Sequence, residues 1–387
     1  MVAEYVDAPQ SNRPNVWFRY NSKNSYSIAA LLPLIEEEPG FAEGPKDGIM
    51  LYSFATAQAE EVYAEVDRAR AGGAASALYI AGGPHASALP EEALQHFDFV
   101  VIGEGEETLP ELLKAIENGS DPAAVRGIAF RMQGQFVITE KRPPVDLDRF
   151  PPFSRILAPL EISRGCPWGC LYCATPRLFG SCMRHRSIPV IERYSRRHMD
   201  IRFTSPNALA YGSDGSRPRL EKVEALLRAL SSQKKPIYFG TFPSEVRPDF
   251  VTEEALEIIT KYCANRSLSL GGQSGSPAVL SAIGRGHGRE EIEAACDLCR
   301  DFGLVAQVDL IFGLPMESEE DQLQSLDLAR WIAGRGGRVR AHIFTPLPAT
   351  PLAETLPAPL SDRVQACLGS LALQGRLTGS WRREGPQ

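Results

Sequence analysis

Short apolar runs alternate with amphipathic segments through the first third of the chain. Residues 48–55 (GIMLYSFA) form a continuous apolar run that predicts a buried strand, and residues 58–72 place Val62, Val66 and Ala69 on one helical face. The same pattern predicts further strands and helices at residues 76–80, 90–96, 97–102 and 108–118. Strands that alternate with helices at this spacing indicate βαβ units and a parallel sheet.

The alternation is interrupted once and then resumes. Residues 125–145 read as a β-hairpin around Gln133-Gly134, and paired prolines follow at residues 143–144 and 151–152. From residue 160 onward about six βα units are expected, fewer than the eight of a closed barrel. The expected strands lie near residues 201–204, 237–241, 267–270, 305–311 and 340–344, and the helices near 220–230, 253–263, 289–301 and 319–333. The pattern therefore predicts an α/β chain with a first domain at 1–140, a linker at 141–158, a partial barrel at 159–348 and a helical tail at 349–387.

Composition and charge narrow the class of protein. A length of 387 residues favours two or three domains of about 150 residues. The formal net charge of -7 excludes a strongly basic surface as the main feature, so a nucleic-acid partner is not expected. The apolar run at residues 27–35 is shorter than the ~20 residues of a membrane span, and the first ten residues lack a signal-peptide pattern. We therefore expect a cytoplasmic location without membrane attachment.

Three of the eight cysteines lie close together, as Cys166, Cys170 and Cys173 in the segment EISRGCPWGCLYCATP. In a reducing compartment, clustered cysteines indicate a metal site more often than a disulfide. Iron–sulfur clusters normally take four cysteines, so three would leave one iron open for a small ligand. The alternative is a zinc knuckle, which needs a fourth ligand nearby, and Cys182 and His185 are the nearest candidates.

The C-x3-C-x2-C spacing after a predicted strand, with an aromatic residue before the last cysteine, resembles the motif of the radical S-adenosylmethionine superfamily. The resemblance implies a partial (β/α)6 barrel and a 4Fe–4S cluster held by Cys166, Cys170 and Cys173. It also implies that the open iron binds S-adenosylmethionine, which the reduced cluster cleaves to a 5′-deoxyadenosyl radical. Tyr172 matches the aromatic residue that lies against the adenine.

Later barrel segments resemble the superfamily less closely. Residues 201–212 (IRFTSPNALAYG) replace the Gly-Gly-Glu stretch of the family, and Ser205 and Asn207 are candidates for its polar contacts. Residues 270–276 (LGGQSGS) resemble the Gly-x-Gln-Ser-Gly segment, and residues 309–315 (DLIFGLP) resemble the strand and turn at the adenine. The resemblance implies cofactor contacts for Gln273, Ser274, Ser276, Arg285, Asp309, Gly313 and Pro315. Each segment alone is also explained as a βα loop in which glycine only reverses the chain.

Glycines follow two predicted strands of the first domain, in residues 82–85 (GGPH) and 103–107 (GEGEE). A dinucleotide site is disfavoured, because Thr108 replaces the third glycine of GxGxxG and the glutamates would repel a pyrophosphate. Residues 82–94 and 97–113 instead resemble the cobalamin-binding domain that precedes the barrel in one branch of radical enzymes. This implies a Rossmann-like domain with corrinoid contacts from Ser53, Gly82, Gly83, Pro84, His85, Gly103, Glu104 and Gly105.

The sequence lacks the Asp-x-His-x-x-Gly motif whose histidine binds cobalt in many cobalamin domains. The N-terminus offers only Asp7-Ala8-Pro9, and no histidine precedes His85. The lower ligand of cobalt is then water or missing, and a vestigial domain that no longer binds corrinoid is the alternative.

Together these resemblances predict a cobalamin-dependent radical S-adenosylmethionine methyltransferase that acts on an unactivated carbon of a small molecule or natural-product precursor. Its expected partner is an electron donor such as flavodoxin or ferredoxin. The alternatives are a radical enzyme that performs ring contraction, cyclisation or rearrangement, and a corrinoid-binding protein without turnover. A methylthiotransferase is disfavoured because no second cysteine triad is visible; Cys296 and Cys299 fall in a helical pattern and are expected to pack in the core.

Overall fold

The computed structural model describes residues 15–36, 38–72 and 77–381. The chain divides into two units, Met1–Val145 with Phe153–Ile156 and Asp146–Pro152 with Leu157–Gln387. Within the described residues, no helix is both long and apolar enough to cross a membrane.

The first unit is a seven-stranded sheet with helices on both faces. Its strands are β1 (Val16–Arg19), β2 (Gly40–Ala42), β3 (Ile49–Ser53), β4 (Leu78–Gly82), β5 (Phe99–Val101), β6 (Ile128–Met132) and β7 (Gln135–Ile138). Its helices are α1 (Ser25–Leu31), α2 (Ala59–Ala71), α3 (Gly83–Ala88), α4 (Pro90–Ala93) and α5 (Gly105–Glu117). The strand order is β2-β1-β3-β4-β5-β6-β7, parallel from β2 to β5 and antiparallel from β5 to β7. The predicted hairpin is therefore the edge of this sheet.

The central strands are buried on both faces, which explains why their sequence is continuously apolar. In β3, Met50 and Tyr52 pack into the core on one face, which includes residues of α2. Ile49 and Leu51 pack into the core on the other face, with residues of α1 and α5. The predicted parallel α/β sheet is confirmed in this unit.

The strand order of the first unit reverses between β1 and β3, because the chain goes from β1 to β2 on one side and returns to β3 on the other. In doubly wound sheets, ligands bind outside the carboxyl ends of the strands at such a point. The carboxyl ends of β1, β3 and β4 are Arg19, Ser53 and Gly82. The fold thus brings the predicted residues Ser53 and Gly82 to the edge where a ligand is expected.

The second unit is an open barrel of parallel strands surrounded by helices. Its strands are β8 (Leu160–Glu161), β9 (Ser163–Arg164), β10 (Arg184–His185), β11 (Ile201–Thr204), β12 (Ile237–Tyr238), β13 (Ser267–Gln273), β14 (Val305–Phe312), β15 (Arg338–Ile343) and β16 (Leu377–Ser380). Its helices are α6 (Thr175–Phe179), α7 (Ile188–Ser195), α8 (Leu220–Ser231), α9 (Glu253–Tyr262), α10 (Pro277–Ala282), α11 (Arg289–Asp301), α12 (Glu319–Gly334) and α13 (Asp362–Leu373).

The barrel strands follow one another in chain order. A three-stranded sheet has the order β12-β11-β8 and a four-stranded sheet the order β13-β14-β15-β16, all parallel. An isolated parallel bridge between Val246 and Leu270 connects the two sheets. The short strands β9 and β10 pair antiparallel beside the barrel. This arrangement confirms the predicted partial barrel and adds β16 to it.

Some elements are not predicted by the sequence pattern. The apolar run at residues 27–35 lies in α1 and the turn that follows it, where Ile28 and Leu32 are buried. The GGPH segment opens helix α3, which the sequence pattern does not predict. After α13, the tail adds β16 to β15 and buries Leu377, so it is not helical throughout.

Candidate active site in the barrel and ligand edge of the first unit

The cysteine loop leaves the barrel at β9 and returns at β10. Gly165 begins it with a φ of +87°, and a Cβ there would collide with the carbonyl oxygen of Cys182. The Cys166 amide donates to Gly180 O at 3.1 Å, and the Cys173 amide donates to Cys170 O at 3.1 Å. The loop is therefore held in a fixed turn by its own backbone.

The three thiols of the loop all line one cavity, and Cys170 is only 3% exposed. Burial raises the pKa of the Cys166 thiol, and the nearby Cys173 and Cys170 raise it further. A buried thiol beside two others needs a positive centre before all three are deprotonated, which is what iron provides. Each cysteine of an iron–sulfur cluster binds a different iron, so the three sulfurs need not converge on one point. The residues fit a cluster.

The zinc alternative is not supported by the residues around the loop. His185 Nε2 donates to Ser213 O at 2.7 Å and Nδ1 accepts from Ser163 Oγ at 2.8 Å, so both ring nitrogens are engaged. Cys182 is exposed. Across the part of the chain that the structure describes, no three His, Cys, Asp or Glu side chains surround a single ion position. A closed tetrahedral site would require such a group.

The cavity has a volume of about 420 Å³ and lies at the carboxyl ends of the barrel strands. Six residues that the sequence suggests for cofactor contacts line it: Tyr172, Ser205, Asn207, Gln273, Arg285 and Asp309. The opposite wall is apolar, with Ile311, Ile343, Phe344 and Leu347. Such a combination of apolar walls and a few polar groups is typical of a small-molecule site.

Two of these residues carry signs of a ligand site. The side-chain nitrogen of Asn207 is buried and has no partner, although its oxygen accepts from the Arg247 amide at 3.4 Å. A buried donor without an acceptor is costly unless a ligand supplies one. Gln273 adopts a φ of +74° at a bulge that ends β13. A non-glycine residue in this conformation is strained, as is common at functional sites.

Arg285 is fixed beside the cysteine loop. Its guanidinium lies 3.8 Å from Cys170 Sγ and donates to Gly271 O at 2.7 Å and to His287 Nε2 at 3.0 Å. Burial and the adjacent Arg285 lower the pKa of His287 to about 4, so the ring is neutral and accepts this bond. A Cβ on Gly271 would lie 2.6 Å from Arg285 Nη2, so a larger residue there would displace the guanidinium from this position.

Two carboxylates, Glu245 and Asp309, also line the cavity, and only Asp309 is among the residues that the sequence suggests. Asp309 binds Arg340 through two contacts of 2.5 Å, and Glu245 lies 3.8 Å from Arg340. Burial and the neighbouring Asp309 raise the pKa of Glu245 to about 7, whereas hydrogen bonds, led by that from Arg340, hold the pKa of Asp309 below its ordinary value against the effect of burial. The only feature of the sequence that points to Glu245 is its position in the loop that follows β12.

The other predicted barrel residues do not line the cavity. Ser274 is fully buried and pairs with Ser325 Oγ at 3.2 Å, and Ser276 caps α10 and donates to Asp321. Gly313, with a φ of +80°, donates its amide to Glu317, while Pro315 lies in the same turn. In this structure these residues shape the loops around the cavity.

In the first unit, the predicted residues gather at the carboxyl edge of β3, β4 and β5, with differing surroundings. Gly103 has a φ of +79° and open space where a Cβ would be, so it leaves room for a ligand. A Cβ on Gly83 would lie 2.8 Å from the backbone of Phe54, so this glycine is needed for packing inside the protein. Ser53 donates to Ser27 Oγ at 2.9 Å, and Glu104 accepts from the Val145 amide at 2.8 Å. The reversal of strand order at this edge and the open space at Gly103 are the two features that suit a corrinoid.

Both ring nitrogens of His85 contact other side chains, so the ring is not free to bind a ligand. Its side chain is 5% exposed, and its ring nitrogens contact Thr56 Oγ1 at 3.3 Å and Glu92 Oε1 at 3.1 Å. Pro84 stands in the first turn of α3 and Gly105 opens α5, where a Cβ would lie 3.2 Å from Leu31. His85 thus stabilises the core between α3 and α4.

The loop after β1 holds its own backbone through asparagine side chains. Asn21 Oδ1 accepts from the amides of Lys23 and Asn24, and the Asn24 side chain donates to Arg19 O at 2.7 Å. These side chains are used within the loop itself. Asp7-Ala8-Pro9 lies outside the described residues.

Comparison with known proteins agrees with both units. A family model described as Radical SAM superfamily matches residues 160–329, and one described as B12 binding domain matches residues 42–113. An uncharacterized methyltransferase of Pyrococcus horikoshii is 27% identical over 71% of this chain and 62% of its own length. The tRNA-2-methylthio-N(6)-dimethylallyladenosine synthase of Aquifex aeolicus is 29% identical over 64% of this chain and 54% of its own length. The chain therefore spans less than two thirds of these relatives.

Among solved structures, the radical S-adenosylmethionine methyltransferase TsrM from Kitasatospora setae, with cobalamin and a 4Fe–4S cluster bound, has the same fold. Its TM-score is 0.65 at 15% identity, and the match covers 88% of this chain and 74% of that chain.

Proposed function

This chain belongs to the radical S-adenosylmethionine superfamily and carries a B12-binding domain, and on that premise we propose that it is a cobalamin-dependent radical S-adenosylmethionine methyltransferase. Its substrate would be a small molecule or natural-product precursor, which it would methylate at an unactivated carbon. The observation that carries the proposal is the single cavity that joins Cys166, Cys170 and Cys173 to Arg285 and the unpartnered Asn207 nitrogen.

When bound, the cluster supplies the electron that cleaves S-adenosylmethionine, and cobalamin supplies the methyl carrier. The three cysteines would hold the cluster, and Arg285 would present a fixed positive charge for the carboxylate of the methionine moiety. Asn207 would offer its free N–H group as a further donor. Tyr172 would border the adenine, while Gln273, Glu245 and Asp309 would offer acceptors for hydroxyl groups.

The remaining wall of the cavity suits the substrate. Ile311, Ile343 and Leu347 are apolar and exclude water from the reacting centre. We place the small-molecule substrate against these side chains.

In the first unit, Ser53, Gly82 and Gly103 are proposed to contact the corrinoid at the carboxyl edge of the sheet, with Gly103 allowing close approach of its backbone. No histidine precedes His85 in the sequence, so the lower ligand of cobalt is proposed to be water or missing. His85 would then serve only the packing of its domain.

The test uses the full chain, reconstituted without oxygen with iron, sulfide and hydroxocobalamin, and S-adenosylmethionine that is isotopically labelled in its methyl group. Reductant should release 5′-deoxyadenosine, and the label should appear in a metabolite from an extract of cells that lack the gene. Release of 5′-deoxyadenosine with an unlabelled, rearranged product would show another radical outcome. A labelled methylthio product would show a methylthiotransferase.

Two cysteine variants provide a matched comparison in this assay. Cys170→Ala should lose the cluster and 5′-deoxyadenosine release, because its thiol is a buried member of the loop. Cys182→Ser should keep both, because this cysteine is exposed and lies outside the triad. Loss of iron in the Cys182→Ser protein would show that Cys182 is a fourth ligand and contradict the open iron, whereas bound zinc in the parent that Cys182→Ser removes would support the zinc-knuckle alternative.

Two further features complete the proposal. All eight cysteines are free thiols, which suits a reducing compartment, and we assign the protein to the cytoplasm. The electron is proposed to come from a small protein donor such as flavodoxin or ferredoxin. Replacing the chemical reductant with reduced flavodoxin should sustain 5′-deoxyadenosine release, and failure with both donors would refute this partner.

A further inference from the structure

Trp168 lies inside the cysteine loop, between Cys166 and Cys170, and is fixed on three sides. Its indole N–H donates to Gly215 O at 2.9 Å. The guanidinium carbon of Arg247 lies 3.6 Å from the ring centroid. Gly286 packs so closely on the ring that a Cβ there would collide with it. Trp168 thus connects the cysteine loop to three other segments of the barrel.

Arg247 is a buried charge at the centre of this arrangement. It is 4% exposed, donates to Arg285 O at 2.9 Å and forms an ion pair with Asp249 at 3.0 Å. An arginine side chain keeps its charge in proteins, and buried charges interact with weak screening. Arg247 also lines the same cavity as the three cysteines, so its charge acts on the cysteine loop.

We propose that Arg247 is a positioning residue that holds the cysteine loop through Trp168 and, by its charge, raises the reduction potential of the bound cluster. The proposal rests on the proposed function only in requiring that the three cysteines bind a cluster. Reduction adds one negative charge to a cluster that already carries three thiolates. A fixed positive charge stabilises that state more than the oxidised one, and charge and hydrogen bonding near the sulfurs are known to set cluster potentials.

Asp249 carries the opposite charge to Arg247, so the inference predicts opposite shifts of the reduction potential for the two residues. Its carboxylate partly compensates Arg247, and its second oxygen is buried without a partner. Neutralising Arg247 should therefore lower the potential, and neutralising Asp249 should raise it. A side chain with only a structural role would not shift the potential in opposite directions for the two variants.

The experiment is a redox titration of the reconstituted full chain, followed by electron paramagnetic resonance of the reduced cluster, without S-adenosylmethionine. At a fixed potential, Arg247→Gln should lower the ratio of reduced to oxidised cluster about tenfold, which is 59 mV for one electron. Arg247→Lys should stay within about twofold of the parent, because it keeps the charge. Asp249→Asn should shift the ratio upward.

Arg335 offers the matched control, since its guanidinium also stacks on a tryptophan, Trp331, at 3.7 Å but lies outside the cavity lining. Arg335→Gln should leave the potential unchanged. An unchanged potential in Arg247→Gln, or in Asp249→Asn if the first variant fails to hold iron, would overturn the inference. A parent protein that binds no cluster would instead refute the proposed function.

Discussion

Substitution of Gly286 by alanine should disturb the cysteine loop from outside it. Gly286 has a φ of +75°, and the added Cβ would collide with the Trp168 ring. Gly284 is the matched control, because it has a similar φ of +68° but its nearest contact would be an ordinary 3.8 Å to Gly169 O. The two variants share the backbone strain and differ in the collision.

The expected magnitudes follow from these two effects. A non-glycine residue in the left-handed region costs roughly 1–2 kcal/mol, which both variants incur. Overpacking against a fixed ring costs typically another ~1–3 kcal/mol. Gly286→Ala should therefore lower the free energy of unfolding by about 1–3 kcal/mol more than Gly284→Ala does.

Urea titrations of the cofactor-free chain, followed by circular dichroism, measure this difference, provided that the denaturant slopes agree. Reconstitution should also give less bound iron in the Gly286→Ala protein. Trp168→Phe removes the part of the ring that the added Cβ meets. In a Trp168→Phe background, Gly286→Ala should therefore lower the free energy of unfolding no more than Gly284→Ala does. Equal penalties for the two glycine variants in the parent background would refute the reasoning.

Further predictions concern pH, buried polar groups and the first unit. Burial raises the pKa of Glu317 from 4.5 to about 8. The stability that this carboxyl contributes is therefore fully present below pH 4.5 and is lost as the pH rises through 8. Glu317→Gln should make the free energy of unfolding, measured by urea titration, depend less on pH, and an unchanged pH dependence would contradict this. Ser325→Ala should cost about 1–3 kcal/mol of unfolding free energy, because it leaves the buried Gly275 amide without its 2.9 Å acceptor; a cost near zero would show that water replaces the hydroxyl. His85→Gln should lower the melting temperature but leave the paramagnetic resonance spectrum of bound cob(II)alamin unchanged, and a changed nitrogen coupling would show that His85 binds cobalt.

The cysteine loop and the βα alternation could be predicted because their signals are local. Three cysteines within eight residues need no knowledge of the fold, and buried parallel strands are apolar on both faces, as Met50 and Leu51 in β3 are. The strands β1 and β2 are not predicted because VWFR and GFA lie in no continuous apolar run such as the one at residues 48–55.

The neighbours of the cysteine loop could not be predicted because they come from distant segments. Arg247 and Gly286 meet Trp168 only after the barrel has brought the loops after β12 and α10 to the same end. Glu245 becomes notable only beside Asp309. Conversely, Gly83 and His85 have local patterns suited to a ligand, yet the structure uses them for internal packing.

The most direct test of the central claim is the metal and sulfide content of oxygen-free reconstituted protein, measured together with 5′-deoxyadenosine release on reduction. Three cysteines that hold a cluster with one open iron predict about four iron atoms and four sulfides per chain and release that depends on S-adenosylmethionine. A chain that takes up a single zinc ion, remains colourless and cleaves no S-adenosylmethionine would contradict it.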